Sequence, residues 1–288
     1  MKRKILMLAL LTAVFALLLC VGAGAYDSLS GKLLVNDTDI ITAASNTVQC
    51  GDGTAVYDSS TQTLTLTDAT ITVPDEPNVS SYCQSAISVG SSLNLDLNIV
   101  LVGENKIITN NTLSNGIFVA GGNNSLTISG EGSLSITCNN GKCGIYSASN
   151  GGDIIIDGVK LDIHSEGNNG VGIQTTSGSV SLQNGADVSC TCGKESIYAF
   201  GGSLTKENSS VHATSTAASS RAIASSQDLD ITNSTVNCSS VGVTLYTSSG
   251  DINIFGSTVS ASAEQENVIA PGYGYGIYIT DNSNVTRS

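Results

Sequence analysis

Apolar and polar residues alternate along this chain in short bursts, and the bursts recur. Residues 151–173 read GGDIIIDGVKLDIHSEGNNGVGI, with Ile154/Ile156 and then Leu161/Ile163 spaced two apart around a break at Gly158. A period of two marks strands with one face inward, and the Gly, Asn and Ser between them mark turns. Each copy can be aligned on a small residue followed by Ile or Val. The anchors are Ala86-Ile87, Gly116-Ile117, Gly144-Ile145, Gly172-Ile173, Ser196-Ile197, Ala222-Ile223, Gly242-Val243 and Gly276-Ile277. Their apolar members are 30, 28, 28, 24, 26, 20 and 34 residues apart. Two further alternating runs follow most anchors, as in Leu126/Ile128 then Leu134/Ile136, and Val180/Leu182 then Val188/Cys190.

One such unit cannot bury its own apolar side chains, but a stack can, because each strand pairs with its equivalent one turn on. The pattern therefore predicts an all-β right-handed parallel β-helix, a solenoid with three strands per coil and about eight coils over residues 81–288. One inward ladder is expected to run Ile136, Ile163, Cys190, Ala213, Cys238, Ala261. At a strand spacing of roughly 4.8 Å the rod is about 35–40 Å long. Left-handed β-helices use shorter turns, leucine-rich repeats need a fuller Leu/Asn pattern, and tandem sandwiches need larger units. Residues 26–80 contain GTAVYDSSTQTLTLTDATITVP, two alternating runs joined by DSST, and are expected to form a strand-rich cap over the first coil's edge. No cap is evident at the other end, where GYGYGIYITDNSNVTRS is expected to stop before a third strand. That open coil implies either end-to-end contact with a partner or a longer natural protein.

The first 25 residues do not fit the repeat. Lys2, Arg3 and Lys4 precede an apolar run from Ile5 to about Val21, and Ala23-Gly24-Ala25 meets the small-x-small cleavage rule, so a signal peptide of residues 1–25 is expected. An uncleaved anchor is the competing reading, and lipidation at Cys20 is disfavoured by Leu19. No later run is long enough to span a membrane, which implies a secreted or cell-surface protein. Removing the signal leaves 8 basic residues (11 less three) against 24 acidic ones, a net charge of −16. This excludes a nucleic-acid partner, whose phosphates need a basic footprint. It permits calcium, although surface acids also serve solubility alone.

Here a resemblance can be named. GDGTAVYDSSTQTLTLTDATI followed by LNIVLVGENKI looks like the entry segment of secreted parallel β-helix proteins of clostridia-like bacteria, a pectate-lyase-like fold described in carbohydrate-binding surface proteins. The resemblance covers most of residues 30–288 and implies a polysaccharide partner at the cell surface, with no particular reaction. Lyases of similar fold hold calcium on carboxylates and use a basic residue to remove a proton. The candidates here are Asp228 and Asp230 for the metal and Arg221 for the base, although D-x-D pairs are also ordinary turn polarity. Asp37/Asp39 and Asp75/Glu76 are weaker. Asp162, Ser189 and His212 contain the members of a hydrolase triad, but Ser189 stands between the other two, so no catalytic residue is assigned. His164 has no acid beside it in the pattern. Of the cysteines, Cys138 and Cys143 can close the NNGK turn as a disulfide or stay free, Cys50 and Cys83 can pair near the cap, and Cys190 and Cys238 lie two rungs apart, too far to bond.

Binding has the better signal. The residue after each anchor should point outward. That column reads Phe118, Tyr146, Gln174, Tyr198, Ala224, Thr244, Tyr278, in a chain that is only 5% aromatic. Phe118, Tyr146, Tyr198 and Tyr278 are thus expected as an exposed row on a flat sheet, able to stack on sugar rings. The competing explanation is strand propensity under a covering loop. The leading expectation is a non-catalytic, polysaccharide-binding β-helix; a structural or adhesive segment and a polysaccharide lyase stand behind it.

Overall fold

The computed structural model describes residues 29–73, 85–139, 142–264, 268–272, 276–279 and 283–287. The expected signal peptide, Asp75/Glu76 and Cys83 lie outside them. The chain winds as a right-handed parallel β-helix of three sheets, with ten, eleven and nine strands. In the first sheet the parallel strands are Ile87–Val89, Ile117–Val119, Cys143–Ser147, Val171–Thr175, Glu195–Ala199, Arg221–Ser225, Val243–Thr247 and Ile269–Ala270. From the first of these strands to the last is seven turns of the solenoid.

The interior is built from in-register columns. Ile136 pairs with Ile163, Ile163 with Cys190, Cys190 with Ala213, Ala213 with Cys238 and Cys238 with Ala261, as the alternation predicts. All six are buried. Burying such columns supplies roughly 25 cal/mol per Å² of apolar surface, which a lone coil has no means to gather.

Two register expectations are corrected. Ile223 is aligned with Leu245, not Val243, and Leu245 with Ile269, not Ile277. The coil steps are then 22 and 24 residues in place of 20 and 34, close to the steps before them. Gly242-Val243 meets the small-then-Ile/Val rule two residues early, whereas the true anchor is Thr244-Leu245, with Thr244 buried and not outward. Gly276-Ile277 opens a strand of the second sheet, Ile277–Ile279, which pairs with Ile252–Phe255. The final coil consequently does reach its third strand, Asn284–Arg287, aligned on Thr258–Ala263.

At the N-terminal side the hairpin forms as expected, with Asp58 opposite Thr63 across DSST. Its return strand, Thr63–Thr67, already pairs in parallel with Asp96–Val102, so it is itself the first rung of the second sheet. Leu33–Val35 runs antiparallel against Ile87–Val89 and covers the outer edge of the first sheet.

The corner between the second and third sheets shows how turn chemistry fixes the coil. After five successive strands of the second sheet the next residue takes a positive φ: Gly158 (68°), Asn184 (57°), Asn208 (49°), Asn233 (49°) and Gly256 (58°). Other side chains clash with the following carbonyl in that region, whereas Gly and Asn tolerate it. In the last three of these turns a serine comes next: Ser209 N–H donates to Ser234 Oγ at 3.2 Å, Ser234 N–H to Ser257 Oγ at 3.1 Å and Ser257 N–H to Ser283 Oγ at 3.4 Å. The hydroxyls thereby serve amides that the sheets do not reach.

One interior column breaks the apolar rule. Lys206 stands between Leu182 and Ile231 in the second sheet and is 1% exposed. Its ammonium donates to the carbonyls of Ser209 (3.3 Å) and Thr235 (2.6 Å). Burial pushes its pKa down from 10.5 to about 7.

Two outcomes are expected. Asn233→Val lowers the unfolding free energy by about 1–2 kcal/mol while Asn233→Gly is nearly silent, measured by denaturant titration. For Lys206 the folded pKa lies below the unfolded one, so between about pH 7 and 10.5 the unfolded chain holds more protons. Its burial penalty is full below that window and vanishes as pH rises through it, so stability increases with pH there. Lys206→Met removes that increment, read from melting temperatures between pH 7 and 10.

Candidate functional site

The outward column of the first sheet, in its true register, runs Ser88, Phe118, Tyr146, Gln174, Tyr198, Ala224, Tyr246, Ala270. Of its four expected aromatics one is covered and one belongs to another sheet. Phe118 is outward from the coil but fully buried, because Leu29 and Leu34 of the N-terminal segment pack over it. Its ring sits 5.9 Å from that of Tyr146 and closes the row at this end. Tyr278 is 55% exposed but belongs to the second sheet, beside Asn253. Tyr246, which the Val243 alignment hides, takes its place. Tyrosines therefore occupy alternate rungs, at Tyr146, Tyr198 and Tyr246, all half-buried. Phe200 stands edge-on to Tyr198 at 5.5 Å and is exposed.

A second column on the same sheet lies three residues earlier on each strand and includes Cys143, Val171, Glu195, Arg221 and Val243. Between the columns lies a concavity of about 520 Å³ lined by Lys142, Cys143, Tyr146, Gln174, Glu195 and Tyr198 among others. Asn115 also lines it. That side chain is buried, its Oδ1 accepts the Cys143 N–H at 3.3 Å, and its Nδ2 has no partner among the described residues. A buried amide donor facing a groove without an acceptor is costly unless a ligand or water supplies one.

Charge is organised around one carboxylate. The Glu195 side chain is only 4% exposed, with Lys194 Nζ 3.7 Å from Oε2 and Arg221 Nη1 3.7 Å from Oε1. Burial pushes the Glu195 pKa up, and the two cations offset part of that rise. The Arg221 guanidinium carbon is 4.5 Å from the ring centre of Tyr246 and 5.9 Å from that of Tyr198, within cation–π range of both. It occupies the space over small Ala224. With Lys142, three cations thus gather at this groove in a chain whose net charge is −13.

The lyase constellation does not assemble. Arg221 faces Glu195 on the first sheet, whereas Asp230 lies in a strand of the second, Leu229–Thr232, and Asp228 just before it. Asp230 Oδ1 accepts the Asn253 amide at 2.8 Å and Asp228 Oδ1 the Asp251 N–H at 2.9 Å. Among the described residues no three His, Cys, Asp or Glu side chains converge as a metal site. Asp162, Ser189 and His212 sit on successive rungs with serine in the middle. His164, contrary to expectation, does have an acid beside it: Glu166 Oε1 is 3.2 Å from its Nε2, because Glu166 follows just past the strand end.

The thiols of the described residues offer no reactive group. Cys50, Cys138, Cys143, Cys190, Cys192 and Cys238 are free and buried. Cys138 Sγ donates to the Cys143 carbonyl at 3.5 Å in place of the disulfide, and Cys143 Sγ to Gln174 Oε1 at 3.5 Å. Burial pushes Cys143, Cys192 and Cys238 up to about 12, leaving essentially no thiolate near neutrality.

No helix among the described residues is long and apolar enough to cross a membrane. Comparison with known proteins finds no matching family model, no matching curated protein and no matching solved structure.

Removing Arg221 leaves Glu195 buried with Lys194 as its remaining cation. Arg221→Met is expected to cost about 1–3 kcal/mol at pH 7, less than fully stranding a buried charge because Lys194 stays beside Glu195. The loss shrinks as pH falls, because protonated Glu195 no longer needs the partner. Thermal melts at pH 7 and pH 4 read the difference.

Proposed function

We propose that this chain is an exported β-helix that binds polysaccharide on the outer face of its first sheet and holds it without cleaving it. One observation carries the reading: half-buried tyrosines on alternate rungs of a parallel sheet, interleaved with Gln174 and Arg221 and flanked by a polar concavity. Rings of this kind offer faces for the C–H surface of a sugar, and amide, guanidinium and phenol groups offer hydrogen bonds to its hydroxyls. Among the described residues Glu195 is the one carboxylate lining the groove, held between two cations, whereas acid–base hydrolysis of a glycosidic bond takes two. The basic, apolar and small-x-small order of residues 1–25, and the likeness of the entry segment to secreted carbohydrate-binding β-helix proteins, support display outside the cell. Calcium is not needed in this reading, since cations of the protein already outnumber the groove's carboxylate.

The test is affinity electrophoresis of the exported chain through neutral and acidic polysaccharides, in calcium and in chelator. Retardation is expected on at least one polysaccharide and is the same in both buffers. Tyr198→Ala and Tyr246→Ala each weaken it about tenfold or more, a loss of about 1.4 kcal/mol or more, with melting temperatures within a few degrees of the parent. Full retardation of the double variant overturns the assignment to this face.

A further inference from the structure

The tyrosine spacing specifies the shape of the ligand, given that this face binds glycan at all. Tyr146 pairs with Gln174, Gln174 with Tyr198, Tyr198 with Ala224 and Ala224 with Tyr246. Successive tyrosines are therefore two rungs apart, roughly 9.6 Å by strand spacing, and the row covers five rungs, or about 19 Å between its end rings. Coils stacked in register run this row along the solenoid, so its period is fixed by backbone hydrogen bonds and not by side-chain adjustment.

A polysaccharide meets such a row in one of two ways. A helical or kinked chain turns successive sugar faces away from a straight track, so only one or two rings stack and the rest project outward. A fully extended chain of 1,4-linked hexopyranoses with both bonds equatorial behaves differently. Its neighbouring sugars alternate by a half turn, so the same face returns at every second ring, and its disaccharide repeat is of the order of two strand spacings. Such a ribbon places a like face over each tyrosine and its hydroxyl-bearing edges over the rungs between.

Those intervening rungs carry polar groups suited to edges. Gln174 stands between Tyr146 and Tyr198. Ala224, between Tyr198 and Tyr246, is overlain by the Arg221 guanidinium, whose aromatic contacts and Glu195 partner fix it in place. The unpartnered Nδ2 of buried Asn115 adds a donor at the Tyr146 end. Phe118, covered by Leu29 and Leu34, blocks extension past Tyr146 on this face.

We infer that the ligand is an extended, 1,4-diequatorially linked polysaccharide lying along the solenoid axis, its disaccharide repeat in step with alternate rungs and about five sugar rings filling the row. Rigid stacking makes the first sheet a ruler for that repeat, which is a selectivity based on chain shape and not on any single sugar's substituents.

Isothermal titration of the exported chain with cello-, chito- and manno-oligosaccharides of two to six rings tests this, with malto- and laminari-hexaoses as chains of helical habit. At least one extended series is expected to gain affinity with each added ring up to about five and then level off, and its hexaose to bind about tenfold or more tightly than either helical hexaose. Tyr198→Ala, which removes the central ring, is expected to bring the hexaose down to the affinity of a disaccharide. Equal binding of maltohexaose or laminarihexaose, or saturation at a disaccharide, overturns the inference about shape while leaving glycan binding on this face intact. Binding of none of these chains, together with no retardation on any polysaccharide, overturns both.

Discussion

Every feature of this protein depends on one constraint: each strand must satisfy its backbone by pairing, residue for residue, with the equivalent strand one coil away. That pairing leaves no freedom to tilt or slip a single coil, so any position in the repeat becomes a column running the length of the rod. Inward columns form a continuous apolar core from side chains that no single coil can bury. Corner columns recruit Asn or Gly for the left-handed turn and Ser for the amide behind it. Outward columns are released from packing, and it is there that sequence is free to encode recognition.

The same constraint explains which parts of the fold were legible in the sequence. Alternation by two identifies strands, and the ladder from Ile136 to Ala261 follows once its members are aligned. Alternation is blind, however, to a slip of two residues, because inward positions stay inward. Val243 and Leu245 are both acceptable on that criterion, and only the pairing of Arg221 with Val243 shows that Leu245 is the rung. Correcting that slip exchanges Thr244 for Tyr246, and the separate alignment of Leu245 with Ile269 leaves Tyr278 on another sheet. The burial of Phe118 was beyond any local pattern. It depends on Leu29 and Leu34, which sit far away in sequence and are brought to it where Leu33–Val35 pairs antiparallel at the sheet's edge.

The ionic part of the groove was less legible still. Lys194 and Glu195 are neighbours in sequence and read as an ordinary charged turn. What makes them a site is the column that sets Arg221 beside Glu195 one coil later, and the small side chain of Ala224 that lets the guanidinium lie between two tyrosines. Arg221 is prominent in the sequence as one of few arginines, and the natural search for its partner looks forward along the chain to Asp228 and Asp230. In a solenoid the relevant neighbour is one coil back, where Glu195 waits, and the two aspartates have turned the corner onto another face.

The chemistry of Glu195 suggests why such a pair persists on a face otherwise suited to neutral rings. A buried carboxylate flanked by two cations contributes little net stability, because its desolvation offsets much of the attraction. Its geometric effect is larger. An arginine on a smooth sheet has many rotamers, and ordering it on ligand binding costs side-chain entropy. Held by Glu195 at one side and by aromatic faces at two others, the Arg221 guanidinium has already given up that freedom in the unliganded fold, so any hydrogen bond it makes to a ligand carries less of the ordering penalty. Stacked coils do for the tyrosines what the carboxylate does for the arginine: both place recognition groups before the ligand arrives.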